Sequence, residues 1–223
     1  MQLIALFSGG KDSLFAIKKA IEQDHEIKYL ATVQSKNPDS YMYHTPNIGL
    51  TLMQSRCLNI QLVSKQSLGE KEKEVRDLEI LLNNLDAEGV VCGAIASNYQ
   101  KERIEKVCEG LRLKVLTPLW GSNQESLIRE IVKSGFEVII TSVAAEGFDE
   151  SWLGRKIDEK CIEDLINLNK KYGISILGEG GEYESLVLDC PLFSRKIEIT
   201  KAEKTWKDNA GLMEVKDAKL VNK

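Results

Sequence analysis

Short apolar runs alternate with segments of helical spacing along the first half of the chain. Leu3 to Phe7 is apolar throughout and stops before Gly9-Gly10, as a strand buried on both faces would. From Leu14 to Ile21, Leu14, Ile17 and Ile21 share one helical face while Lys18 and Lys19 lie off it. Ile27–Val33 and Ile60–Val63 are further strand candidates. Glu70–Leu85 predicts a helix rich in Glu, Lys, Leu and Arg, with Glu72 and Arg76 spaced as an i,i+4 pair. Gly89–Ile95 predicts a strand, Gln100–Leu111 a helix and Lys114–Leu119 a fifth strand. This rhythm predicts a Rossmann-like parallel sheet with helices on both faces and right-handed crossovers.

The second half has a different pattern. Glu125–Val132 and Glu159–Lys171 predict helices, and Glu137–Val143 an apolar strand. Strand-like segments then follow one another at Ile174–Leu177, Ser185–Leu188, Lys196–Thr200 and Leu212–Val215. Strands without helices between them predict a smaller α+β region with a mixed or antiparallel sheet. The change of pattern sets the expected division at 1–120 and 121–223.

Charge supports that division. The chain has 223 residues and a net charge of −4. Residues 1–120 carry 15 basic and 15 acidic side chains, so the whole excess lies in the second half. A mildly acidic chain argues against bulk nucleic-acid affinity. No apolar run approaches the ~20 residues of a membrane span, and the first apolar run is too short for a signal-peptide core. Five cysteines (Cys57, Cys92, Cys108, Cys161 and Cys190) are dispersed without a C-x-x-C pair, which fits a reducing cytoplasm. With only His25 and His44 besides, a structural zinc site is not expected.

The chemistry concentrates in two glycine-rich segments. Ser8-Gly9-Gly10-Lys11-Asp12-Ser13 sits between the first strand and the first helix. Glycines admit close backbone approach to an anion, helix-start N–H groups and the helix dipole favour it, and Lys11 and the serines add donors. Asp12 would repel phosphate; it fits either as a helix cap or as a ligand to magnesium riding on phosphates. The competing reading is a glycine turn before a capped helix. The second segment is Gly178-Glu179-Gly180-Gly181-Glu182-Tyr183-Glu184-Ser185. Its three carboxylates suit a magnesium ligand, a binder of ammonia, a general base, or a solvated acidic turn.

The first segment lacks the Walker A pattern and resembles the PP-loop of the N-type ATP pyrophosphatases, Ser-Gly-Gly-x-Asp-Ser. That resemblance implies ATP cleavage between the α and β phosphates, with the acceptor left open. The stretch Gly178 to Pro191 resembles the signature of the diphthine–ammonia ligases. Tyr41-Met42-Tyr43-His44, Gly93 to Gln100 with Arg103, Pro118-Leu119-Trp120 and Trp152-Leu153-Gly154-Arg155 match the same pattern, with Ser185 where many members have Thr. The chain is similar to the compact archaeal form, without the extra C-terminal domains of larger eukaryotic members.

The family resemblance implies that ATP adenylates the carboxylate of diphthine on translation elongation factor 2 and that ammonia then displaces AMP. The sequence shows no glutaminase signature, so free ammonium is the expected nitrogen source. It implies that Ser8, Gly9, Gly10, Lys11, Asp12 and Ser13 hold the phosphates with Mg2+ on Asp12. Backbone at the end of the second strand, near Thr32, and Gly93 are the expected further nucleotide contacts. His44, Tyr99, Gln100, Arg103, Gly180 and Gly181 are the expected substrate contacts. Lys11, Asp12, Glu179, Glu182 and Glu184 are the catalytic candidates. Trp120 and Trp152 fit either stacking on substrate or buried packing. A homodimer is compatible with the sequence, and nothing in it fixes the oligomeric state. The rival readings are a PP-loop enzyme acting on tRNA and an ATP-binding module without turnover.

Overall fold

The computed structural model describes residues 1–35, 47–69 and 73–223. Tyr41, Met42, Tyr43 and His44 lie outside the described residues, as do Glu70 to Glu72 at the start of the expected Glu70–Leu85 helix. The chain forms two compact units, Met1–Gly121 and Ser122–Lys223.

The first unit runs β1 (Gln2–Leu6), α1 (Lys11–Glu22), β2 (Glu26–Ser35), α2 (Thr51–Leu58), β3 (Gln61–Ser67), α3 (Lys73–Asn83), β4 (Gly89–Val91), α4 (Asn98–Gly110) and β5 (Lys114–Leu116). Its five strands are parallel in the order β3-β2-β1-β4-β5. Leu3, Ile4, Ala5, Val90 and Val91 are at most 1% exposed, as expected of central strands covered on both faces. Right-handed crossovers with this strand order put α1 and α2 on one face and α3 and α4 on the other. Leu78, Leu81 and Leu82 of α3 and Ile104, Val107 and Cys108 of α4 pack in one cluster with Ile4, Ala31, Val33 and Val90. β4 and β5 end earlier than their apolar runs suggest. Cys92, Ala94, Ile95 and Leu119 lie beyond the strands yet are buried, so hydrophobicity marks the core there without marking the ladder. The short helix α2 had no clear apolar period and was not expected.

The second unit runs α5 (Gln124–Lys133), β6 (Glu137–Val143), α6 (Glu159–Tyr172), β7 (Tyr183–Asp189), β8 (Lys196–Lys207) and β9 (Ala210–Val221). Its sheet has the order β7-β6-β9-β8, with all its pairs antiparallel. Asn123 and Asp158 cap α5 and α6 by accepting the amides of Ser126 and Cys161. β9 meets β6 only at Ser142↔Leu212 and Val143↔Gly211. Beyond that point Gly154–Ile157 takes the edge of β6, with Gly154 N–H on Ile140 O at 2.8 Å and Ile157 N–H on Val138 O at 2.8 Å. β8 and β9 are longer than expected and form a hairpin about Asp208 and Asn209, both at positive φ as a two-residue type I′ turn requires.

One expected strand is absent. Ile174–Leu177 forms no ladder, although Ile174, Ile176 and Leu177 are buried. Gln124 Oε1 takes the Ile176 amide at 2.8 Å and Glu182 Oε1 takes the Ser175 amide at 2.8 Å. Side chains satisfy this backbone, so the apolar run sits in the core without a neighbouring strand. Among the described residues, no helix is long and apolar enough to cross a membrane.

Candidate functional site

In a parallel sheet of this order the chain leaves β1 toward β2 on one side and leaves β4 toward β5 on the other. The crevice between the carboxyl ends of β1 and β4 is therefore the topological switch point, where such sheets bind ligands. Both loops flanking it belong to residues singled out in the sequence: Ser8–Gly10 follows β1, and Cys92–Gly93 follows β4.

The loop after β1 is tied down by its own side chains. Gly9 has φ +80°, a conformation that favours glycine. Gly10 is the N-cap of α1 and makes no side-chain cap hydrogen bond, so Asp12 is not the cap; it stands in the first helical turn. Gly10 N–H donates to Ser8 Oγ at 3.3 Å, Ser8 Oγ–H to Ser13 Oγ at 3.2 Å, and Ser13 Oγ–H to Gly10 O at 3.1 Å. Lys11 is 2% exposed and its ammonium lies 2.9 Å from Asp12 Oδ2. The buried ammonium is thus paired with a half-buried carboxylate, and the start of α1 supplies the helix-dipole field that favours an anion.

Gly93 shows how tightly the second strand end approaches. A Cβ there would lie 2.6 Å from the Asp12 carbonyl carbon and 2.8 Å from the Ser13 nitrogen. Only a glycine lets the end of β4 run this close to the first turn of α1. α4 then begins with Ser97 as its N-cap, accepting the Gln100 amide at 3.4 Å. Arg103 stacks over the Tyr99 ring, 3.5 Å from its centre, and donates to Tyr99 O at 3.3 Å. Tyr99, Gln100 and Arg103 therefore stand on the helix that leaves the same sheet edge as the Ser8–Gly10 loop.

Thr32 lies before the strand's end rather than at it. β2 continues to Ser35, so Thr32 lies inside the strand and is 2% exposed. Its hydroxyl donates to Phe7 O at 2.6 Å and so fixes the last residue before the loop.

In the second unit the acidic segment is a built loop. Glu182 accepts the Ser175 amide on Oε1 and the Gly180 amide on Oε2, each at 2.8 Å. Ser175 Oγ accepts the amides of Leu177 and Glu179 at 3.3 and 3.2 Å and donates to Gln124 Oε1 at 3.1 Å. Tyr183, 2% exposed, donates to Ile176 O at 2.8 Å. Gly178 needs its positive φ and would press a Cβ to 2.6 Å from Tyr183 O. Glu184 lies in β7, opposite Ser142. Glu182 thus uses both oxygens within its own loop. Among the described residues no three His, Cys, Asp or Glu side chains converge as a metal centre would require.

Other candidates resolve into packing. Trp152 is 6% exposed, edge-on to Phe148 at 4.8 Å and beneath the Arg155 guanidinium at 4.5 Å. All five cysteines are buried and unbridged. Burial pushes the Cys108 and Cys161 thiols up to about 12 and Cys190 to about 11, which suits inert side chains. A shallow hollow of about 470 Å³ beside Phe136 and Lys156 shares no residue with either glycine-rich segment.

Family models decide the relationship. The diphthamide synthase N-terminal domain matches residues 1–115, and the diphthamide synthase C-terminal domain matches residues 123–221. The chain belongs to the diphthine–ammonia ligase family. Among its relatives, the diphthine–ammonia ligase of Rattus norvegicus is 39% identical over 226 residues, covering 91% of this chain and 84% of the relative. That of Homo sapiens is 37% identical with the same coverage. That of Saccharomyces cerevisiae is 33% identical over 95% of this chain and 37% of its own longer length. In this diphthine–ammonia ligase relative, Gln124 and Ser175 hold the second glycine-rich loop and Gln54 donates to Gly9 O of the first, and sequence patterns did not single them out.

Proposed function

We propose that this chain catalyses the ATP-dependent amidation of diphthine on translation elongation factor 2, giving diphthamide, AMP and pyrophosphate. The observation that carries the proposal is the Ser8–Ser13 loop at the β1/β4 switch point in a chain of this family. ATP transfers its adenylyl group to the diphthine carboxylate as the α–β anhydride breaks and pyrophosphate leaves. Ammonia then forms the amide as AMP leaves and a proton is lost.

The chain's own part is to bind, orient and steady charge. First-turn amides of α1, the loop backbone and Lys11 hold phosphate oxygens, and Ser8 and Ser13 add hydroxyls. Gly93 lets the nucleotide site close against α1. Asp12 is the carboxylate suited to magnesium, which commonly takes one or two protein carboxylates and completes its shell with phosphate and water. That ion, when bound, would neutralise departing pyrophosphate. Tyr99, Gln100 and Arg103 are proposed to contact nucleotide or substrate from the start of α4. Glu179 and Glu184 are the carboxylates proposed to receive ammonium or its proton, and Gly180 and Gly181 to admit substrate close to the backbone. His44 is proposed as a substrate contact on the family pattern. We further propose a cytoplasmic enzyme, with free ammonium as nitrogen source, no nucleic-acid substrate, and a homodimer as a compatible state.

The test is to incubate the protein with ATP, magnesium, ammonium and diphthine-bearing elongation factor. AMP and pyrophosphate release that depends on the factor supports the ligase. Release that depends on tRNA instead, or no release with either, overturns it.

A further inference from the structure

Gln54 lies on α2 and is 0% exposed, yet its side chain reaches back 45 residues in sequence to the phosphate loop. Its Nε2–H donates to Gly9 O at 2.8 Å. The fit is close: a Cβ on Gly9 would lie 2.2 Å from Gln54 Oε1.

The bond acts on one peptide unit, Gly9–Gly10. The peptide is trans, so its C=O and N–H point in opposite directions. With the carbonyl drawn toward Gln54, the Gly10 N–H is turned the other way, toward Ser8 Oγ and the start of α1. A peptide between two glycines rotates easily, because neither residue opposes positive φ. Rotation would aim a carbonyl oxygen where a donor belongs, and a partial negative charge would then face an incoming phosphate.

We infer that Gln54 is a positioning residue that latches the Gly9–Gly10 peptide with its N–H on the phosphate side. The inference rests on the ATP-site reading above and adds the group that orients its backbone donor. Loss of the latch raises the concentration of nucleotide needed and leaves the adenosine part of binding untouched.

Two variants and one measurement on the unaltered protein test it. Q54M keeps the volume and removes the donor; Q54E offers an acceptor that favours the rotated peptide. Binding of ATP and of pyrophosphate is measured by calorimetry, with adenosine as control and thermal unfolding to check the fold. Q54M is expected to weaken both phosphate ligands about three- to tenfold, the effect of one hydrogen bond, and Q54E to weaken them more. In the unaltered protein, saturating pyrophosphate is expected to slow amide exchange at Gly10, which needs no variant to fold. Folded variants that bind pyrophosphate as the unaltered protein does would overturn the latch alone. Gly10 exchange that stays unchanged while the first-turn amides of α1 slow would also overturn it. Failure of the unaltered protein to bind either ligand would overturn the ATP-site reading together with it.

Discussion

Glu182 closes its own loop on Ser175: Oε1 accepts the Ser175 amide at 2.8 Å while Oε2 accepts the Gly180 amide at the same distance. A carboxylate with both oxygens on backbone donors holds the shape of its loop. Glu182→Gln keeps one acceptor, so turnover is expected to fall less than about tenfold, as for one lost hydrogen bond. The pH–rate profile should keep its shape. Glu182→Ala should cost more and loosen the loop, read as faster amide exchange at Ser175 and Gly180. A general base would behave otherwise, with a loss of about 10²–10⁴ in Glu182→Gln and an altered acid limb.

Lys11 and Asp12 make the charge pair of the other loop, 2.9 Å apart. Lys11→Ala removes the buried ammonium from the proposed phosphate site. Turnover is expected to drop by about 10²–10³, the scale of losing one preorganised charge-stabilising donor. Lys11→Arg should not restore it, because a planar guanidinium does not fit the space of a point ammonium. The check is AMP release against thermal unfolding; undiminished turnover in Lys11→Ala would remove Lys11 from the phosphate role.

Gly93→Ala places a methyl 2.6 Å from the backbone of Asp12, where nothing flexible can give way. Overpacking of this kind costs about 1–3 kcal/mol, so the urea midpoint should fall by that equivalent. ATP affinity should weaken with it, since the displaced atoms belong to the first turn of α1.

Much of the first unit was legible because its strands are central. Full burial of Leu3–Ala5 and Val90–Val91 requires unbroken apolar runs, and such runs show in the sequence. The conformation of the Ser8–Ser13 loop was legible for the same kind of reason, since its glycines, Lys11 and Ser13 are local to one turn. Ile174–Leu177 misled because burial alone imitates a strand; what holds it is Gln124, some fifty residues earlier. Asp12 was open as a cap until the backbone of Gly10 took that position. Gln54 could not be read at all, because a glutamine on a short helix looks like surface until the fold brings it to Gly9.

The thiols set an alkaline limit. Cys108, Cys161 and Cys190 hold their protons in the fold to about 12, 12 and 11, against an ordinary value of 9.0, chiefly through burial. The unfolded chain therefore loses these protons first as pH rises, and stability present below about pH 9 declines above it. By pH 10 the loss should be on the order of 1 kcal/mol per buried thiol. Thermal unfolding between pH 8 and 10.5 measures it. The native protein should also leave a thiol-reactive dye unconsumed at pH 8 until denaturant is added.

The most direct measurement of the central claim follows the nitrogen. Diphthine-bearing elongation factor is incubated with the protein, ATP, magnesium and 15N-ammonium, and the modified histidine is examined by mass spectrometry alongside the spent nucleotide. The account predicts one 15N in the side-chain amide for each AMP formed. Unlabelled diphthine with nucleotide appearing as ADP would contradict it.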